Sequence, residues 1–268
     1  MSLSSYPPVS LIISTYNWPR ALEVCLLRIR EQTIIPNEII IADDGSGPDT
    51  AHMIEKMRED YPCPIIHVWH EDVGFTVSVI RNKAIVRSSF DFIVQIDGDI
   101  IPDKHLIEDH LKFSKDGFFA TGSRVMLSPE RTADVLQSEN GLKDLSSFTS
   151  LKSLRLPILA NYFRFRYKKN SPHYIKGCNM SFWRKDLIAI NGYDEDMTGW
   201  GYEDNEISAR LLAAGIQKQY LKYTGVVYHL DHKINSHERV SINSEIYRKS
   251  IANKSVWCKN GLDKYLNV

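Results

Sequence analysis

Residues Phe92–Ile101, FIVQIDGDII, decide the fold. Phe92, Ile93 and Val94 lead into Gln95 and Ile96; Asp97, Gly98 and Asp99 follow, with Pro102 just beyond. A short apolar, β-branched run bounded by Gly and Pro is the pattern of a buried strand that ends abruptly. In open α/β sheets ligands bind beyond the carboxyl ends of the strands, so carboxylates there are placed for chemistry. Residues i and i+2 on an extended backbone point the same way, so Asp97 and Asp99 are expected to face one site. Two carboxylates in one site repel unless a cation joins them. Hard divalent cations take oxygen ligands, and a metal that also holds diphosphate oxygens fits this stretch. An ordinary Asp-Gly turn is the alternative.

Upstream, the same alternation repeats. Val9–Ser14 (VSLIIS) reads as a buried strand with Thr15 and Tyr16 at its carboxyl end. Pro19 suits the first turn of a helix, with Asn17 as its candidate cap and Leu22, Cys25, Leu26 and Ile29 as its apolar face to about Thr33. Glu38–Ala42 is a second strand, broken at Asp43-Asp44-Gly45. A helix over about 50–60, a strand at Ile65–Trp69 and a helix opened by Gly74 and carrying Arg81 lead to Phe92–Ile96. Strands alternating with helices predict βαβ units, a mainly parallel sheet flanked by helices and a Rossmann-like first half. No G-x-G-x-x-G follows the first strand, which argues against a dinucleotide site. The strand ends carry Thr15-Tyr16, Asp43-Asp44 and Asp97-Asp99 instead. Carboxylates accept hydrogen bonds from a base N–H or from ribose hydroxyls, and a tyrosine ring stacks on a base. The local alternatives are that Asp43 caps a turn and Tyr16 is packing.

Downstream, Asp103–Ser114 reads as a helix and Phe118–Val125 as a strand, while Met126–Pro172 has no clean period. Lys152–Lys169 carries six basic residues and no acidic one, interleaved with aliphatic and aromatic residues. It reads either as a peripheral membrane or anionic-acceptor patch, or as a solvated insertion with one apolar side. Order resumes at Tyr174–Trp183. Gly199-Trp200-Gly201-Tyr202 then runs into an acidic helix start, Glu203, Asp204 and Glu206. The helix dipole favours acids at that end, but it does not explain the aromatic plate beside them, a platform for the apolar face of a sugar. Val226–Leu230 reads as a strand holding His229, with His232 three residues on, and Ile242–Asn260 as a helix.

Composition sets the bounds. At 268 residues the chain fits one large domain, and 33 basic against 33 acidic residues give no global field for nucleic acid. Four scattered cysteines without a C-x-x-C pair favour free thiols in a reducing, cytoplasmic compartment. No charged amino-terminal region and no run near the ~18 apolar residues of a span is found, so neither a signal peptide nor a membrane helix is expected.

VSLIISTYN, EIIIADDGS, RNKAI and QIDGD, in that order, resemble the inverting family 2 glycosyltransferases of GT-A fold over about residues 9–125. From about 174 to 230 the chain is similar to the carboxyl-terminal part of β1,4-galactosyltransferases and chondroitin-type polymerases, where GWGYEDNEISARL matches W-G-x-E-D-x-[DE]. The resemblance implies a single-domain enzyme of polysaccharide biosynthesis. It moves a hexose from a nucleoside diphosphate sugar, UDP-linked by preference, to a glycan or lipid-linked hydroxyl. Residues 1–125 would bind the nucleotide sugar, 126–172 form a variable insertion, 173–240 hold the acceptor and catalytic groups, and 241–268 form a helical tail. Thr15, Tyr16 and Asp44 would hold the base, with Asp43 nearby and Arg81 completing the pocket; Asp97 would contact the ribose. Asp99 would bind Mn2+ or Mg2+ with His229, or with His232 in its place. Asp204 would be the general base, with Glu203 and Trp200 shaping the acceptor site, and Lys176, Gly177 and Asn179 would line the pocket floor. A sugar-nucleotide nucleotidyltransferase and a non-catalytic nucleotide- or carbohydrate-binding protein are the competing classes.

Overall fold

The structure, a computed structural model, describes residues 6–137, 154–233 and 237–266. Four strands come first: β1 (Val9–Thr15), β2 (Glu38–Asp43), β3 (Ile65–Trp69) and β4 (Phe92–Asp97). Helices α1 (Pro19–Arg30), α2 (Pro48–Arg58) and α3 (Val77–Arg87) connect them. Then come β5 (Ile100–Pro102), α4 (Leu106–Lys112), β6 (Phe118–Thr121), β7 (Ser123–Met126), α5 (Pro129–Gln137), α6 (Pro157–Phe163), β8 (Asn179–Trp183) and α7 (Arg184–Ala189). The remainder is α8 (Glu203–Ala213), β9 (Gln217–Tyr220), β10 (Val226–His229), α9 (Val240–Ala252) and a 3-10 turn at Leu262–Tyr265.

Seven strands form one sheet in the order β3-β2-β1-β4-β8-β6-β9. The β3-β2-β1-β4 part is parallel, and β8 alone runs against its neighbours β4 and β6. β1 shows why the early strands lack hydrophobic alternation. Val9, Leu11 and Ile13 pack with Leu22, Leu26 and Ile54 from α1 and α2 on one face. Ile12 packs with Ile80 and Ala84 of α3 on the other. A strand covered on both faces reads as a continuous apolar run.

Parallel register brings the carboxyl ends to one edge: Thr15 lies beside Asp43, and Ser14 beside Asp97. A second sheet, β5-β10-β7, sits just past β4, with His229 in register with Ile100. The Leu230 N–H donates to the Asp99 carbonyl at 2.9 Å. This small sheet is what carries the histidine strand to the Asp-Gly-Asp turn.

Several expectations are corrected. Asp99 is not on extended backbone: β4 ends at Asp97, and Gly98-Asp99 is a turn whose Gly98 N–H donates to the Ser14 carbonyl at 2.7 Å. Phe118–Val125 is two strands in different sheets, parted at Gly122, where a Cβ would overlap the Asn179 amide. Asn17 does not cap α1; it is left-handed (φ 45°), and its Oδ1 accepts from the Gly47 N–H at 2.9 Å. Gly74 (φ 94°) makes a turn three residues before α3 begins. The tail helix stops at Ala252.

Candidate active site

A cavity of about 740 Å³ lies at the carboxyl edge of the sheet, floored by Ser14, Asp97 and Gly98 and walled by Lys176, Gly177 and the start of α8. Thr15, Tyr16, Asp44, Arg81, Asp97, Asp99, Lys176, Gly177, Trp200, Glu203, Asp204 and His229 all line it. The sequence placed them over more than 200 positions, and the fold gathers them.

Asp43 and Asn179 do not line it. Asp43 is fully buried; its Oδ1 accepts from the Ser46 N–H at 2.8 Å and its Oδ2 lies 2.9 Å from His67 Nε2. These bonds tie the β2 turn. Asn179 is also fully buried, donating to the Ser123 and Gly225 carbonyls and meeting His110 Nε2 through Oδ1 at 2.8 Å. It joins the two sheets beneath the floor, with its polar groups committed there.

Asp44 is held from three directions. The Thr76 N–H and hydroxyl donate to it at 2.8 and 2.7 Å, and His70 Nε2 lies 2.8 Å from Oδ1. Tyr16 stands half exposed at the rim, its hydroxyl donating to Asp72 at 2.8 Å. That bond raises the Tyr16 hydroxyl's pKa.

Arg81 is buried and organises the centre. Its guanidinium donates to Asp97 and Asp204 at 3.0 Å each and to the Ser14 hydroxyl at 3.1 Å, and it lies 5.3 Å over the Tyr193 ring. Removing either carboxylate would leave a buried cation short of a partner, a costly state. Burial raises the Asp97 carboxyl, with Arg81 pulling against it. Burial, with Asp204 beside it, pushes Glu203 up to about 7. The Glu203 carboxylate accepts from the Gly201 N–H at 3.0 Å.

The backbone before α8 explains the glycines around Trp200. Gly199, Gly201 and Tyr202 are left-handed, with φ of 73°, 112° and 70°. The first two are permitted without a Cβ; Tyr202 is in a region uncommon for a bulky residue. The turn leaves Trp200 partly exposed, stacked on His237 with ring centroids 4.9 Å apart. A Cβ on Gly177 would overlap the Asp204 carboxylate, so the β8 approach and α8 meet backbone to side chain.

Asp99, His229 and His232 form a candidate metal centre, with one ligand atom from each within 4.8 Å of the others. His229 Nε2 lies 3.5 Å from Asp99 Oδ1, and His232 Nε2 3.2 Å from Asp99 Oδ2. Each histidine places Nδ1 against a backbone carbonyl, Leu230 at 2.8 Å and Lys233 at 2.9 Å. With the proton held at Nδ1, Nε2 is the ligating nitrogen. Asp99 Oδ1 is buried with no hydrogen-bond partner, the cost of which a cation would remove. The donor set therefore fits a divalent metal, with both histidines beside Asp99. The Asp99 carboxylate raises His232 to about 9.

Ser14, His70, Thr76, Tyr193 and His237 were missed by the sequence reading. Ser14 and His70 had a signal, standing at or just beyond strand ends; Tyr193 and His237 had none, because only the fold brings them in.

The family profile "Glycosyl transferase family 2" matches residues 10–190, and "N-terminal domain of galactosyltransferase" matches residues 157–233. The chain is 24% identical over 242 residues to the chondroitin synthase of Pasteurella multocida, covering 82% of this chain and 24% of that protein. It is 27% identical over 229 residues to the validoxylamine A glucosyltransferase of Streptomyces hygroscopicus subsp. limoneus, covering 80% of this chain and 49% of that one. The chain thus spans about a quarter to a third of the length of the first curated relatives it matches. Among solved structures, S. aureus TarS 1–349 in complex with UDP superposes with TM-score 0.61 at 15% identity, covering 97% of this chain and 71% of that one. The Pyrobaculum calidifontis mannosyltransferase PcManGT, in complex with GDP-Man and Mn2+, gives TM-score 0.60 at 18% identity, covering 86% and 59%. The fold is GT-A, and the chain belongs to glycosyl transferase family 2.

Proposed function

We propose that the chain is a metal-dependent, inverting hexosyltransferase that moves a sugar from a UDP-sugar to a hydroxyl of a glycan or lipid-linked acceptor. The observation that carries the reading is one cavity holding both a three-residue metal centre and a carboxylate, Asp204, on a separate helix. PcManGT with Mn2+ and TarS with UDP support the metal and the uridine donor. The four cysteines, all free thiols, support a cytoplasmic setting. No helix among the described residues is long and apolar enough to cross a membrane.

Asp99, His229 and His232 would hold Mn2+ or Mg2+, which neutralises charge on the departing diphosphate when bound. Asp44 accepts from the uracil ring N–H, Tyr16 and Thr15 flank the base, and Asp97, steadied by Arg81, meets the ribose. Trp200 offers its face to the acceptor sugar, and Lys176 and Gly177 shape the floor. Asp204 takes the proton of the acceptor hydroxyl as its oxygen attacks the anomeric carbon. The bond from that carbon to the diphosphate oxygen breaks, its electrons leaving with the nucleoside diphosphate. Attack from the face opposite the leaving group inverts the anomeric configuration.

Calorimetry with Mn2+ comparing UDP and GDP tests the donor: UDP binds more tightly, and a preference for GDP contradicts the assignment. With UDP-sugar and metal but no acceptor, slow release of UDP is expected. Release of pyrophosphate from UTP and a sugar 1-phosphate would instead mark a nucleotidyltransferase.

A further inference from the structure

From Leu154 to Lys185 the chain contains no aspartate or glutamate, and eight lysines and arginines. The described part of the basic stretch, 154–169, is built around α6; Lys152 lies outside the described residues. Helix α6 is anchored inward by Ala160, packed with Phe113 and Leu221, and the Leu156 N–H donates to the Tyr223 carbonyl at 2.8 Å. Ile158, Leu159 and Tyr162 on it, with Leu154 just before it, face out, while Phe163 packs on Tyr223. Ile158 is 89% exposed, Tyr162 57%, and Leu154 and Leu159 44% each. A contiguous exposed apolar group of this kind marks an interaction surface.

The charge around it has one sign. Arg155 is spent on Asp109 at 2.7 Å, and Lys112 on Glu108. Among the described residues no carboxylate pairs with Arg164, Arg166, Lys168, Lys169 or Lys222. Arg164, Arg166, Lys168 and Lys222 lie over aromatic faces instead: Arg164 over Phe165 at 4.5 Å, Arg166 over Tyr162 at 4.5 Å, Lys168 over Tyr174 at 3.0 Å, and Lys222 over Tyr167 at 4.4 Å and Phe163 at 4.6 Å. Exposed aliphatic side chains beside aromatic rings and basic groups without carboxylate partners among the described residues are the chemistry of a surface that enters the headgroup layer of an anionic bilayer.

We propose that α6 and its basic collar dock this protein on an anionic lipid surface, with Ile158 and its neighbours entering the interface and Arg166, Lys168, Lys169 and Lys222 meeting the headgroups. Charge complementarity selects that occupant over a second copy of the chain, since two such collars repel. The inference stands apart from the glycosyl-transfer reading, because none of these residues lines the cavity.

The test is co-sedimentation of the full chain with phosphatidylcholine vesicles, with and without 30% phosphatidylglycerol, across salt. Binding is expected only with phosphatidylglycerol and should weaken as salt rises. Lys168→Gln with Lys169→Gln should lower it about 25-fold, near five-fold for each charge removed. Ile158→Asp should lower it at least ten-fold. Both variants should keep the wild-type melting temperature, since the altered side chains are on the surface. No sedimentation at low salt, equal binding to both vesicle types, or wild-type binding by both variants overturns the proposal. So does a dimer dissociated by Ile158→Asp in the absence of lipid.

Discussion

At the scale of residues, Asp204 and Glu203 are adjacent carboxylates in different environments. Asp204 is held toward the cavity by Arg81 at 3.0 Å, with Gly177 against its other oxygen. Glu203 is turned back onto the Gly201 N–H. That difference supports Asp204 as the proposed proton acceptor. Asp204→Asn should lower kcat by ~10²–10⁴-fold with donor binding intact, whereas Glu203→Gln should keep most of the turnover. The reverse result moves the base by one position. Glu203 also predicts a pH effect on stability. Burial and the neighbouring Asp204, against the pull of Arg81, raise its folded pKa from the ordinary carboxyl value to about 7. Between about 4.5 and 7 the folded state holds the extra proton, so stability falls as pH rises through that window. Glu203→Gln should remove that fall, raising the melting temperature at pH 8 relative to wild type and not at pH 4. Thermal melts across pH check this. The acidity of the α8 start was legible in sequence. The partition of roles was not, because it depends on Arg81, 123 positions away from Asp204.

At the scale of elements, the site is a meeting of ends. The β4 turn supplies Asp99, β10 supplies His229, and the loop after it supplies His232. The register of His229 with Ile100 brings them together. The α8 start reaches the same space because the chain before β8 passes it as bare backbone at Gly177. Gly177→Ala should displace the Asp204 carboxylate. A misplacement near 1 Å costs about 10²-fold in rate, so kcat should fall by about that factor while the UDP affinity stays near wild type. Nucleotide titration beside turnover separates the two; an unchanged kcat would show that Asp204 is not positioned by this contact. Strand β9, QKQY, shows what sequence hides. Lys218 and Gln219 are buried there because Lys218 donates to the Ser171 and His173 carbonyls and Gln219 accepts from Arg164. Burial met by hydrogen bonds leaves no hydrophobic pattern to read.

At the scale of the whole molecule, residues 9–97 were readable because β1, β2 and β4 are buried on both faces and each connection is a helix. The alternation is then written directly in the sequence. Past Asp99 the chain moves between two sheets, at Gly122 and again at β10, and short strands shared between sheets carry too few residues for a period. The candidate metal centre straddles that boundary: Asp-Gly-Asp pointed to Asp99, whereas only the fold shows that His229, on β10, and His232, in the loop after it, both lie beside it. The central claim is that this junction binds a nucleoside diphosphate through a metal. Calorimetry of UDP with wild type and Asp99→Asn, each with Mn2+ and with chelator, tests it most directly, with a thermal melt of each protein alone. Mn2+-dependent binding to wild type, abolished by chelator and by Asp99→Asn, is expected, with the variant still folded. UDP binding that persists in chelator, or that a folded Asp99→Asn retains with its Mn2+ dependence, would contradict it.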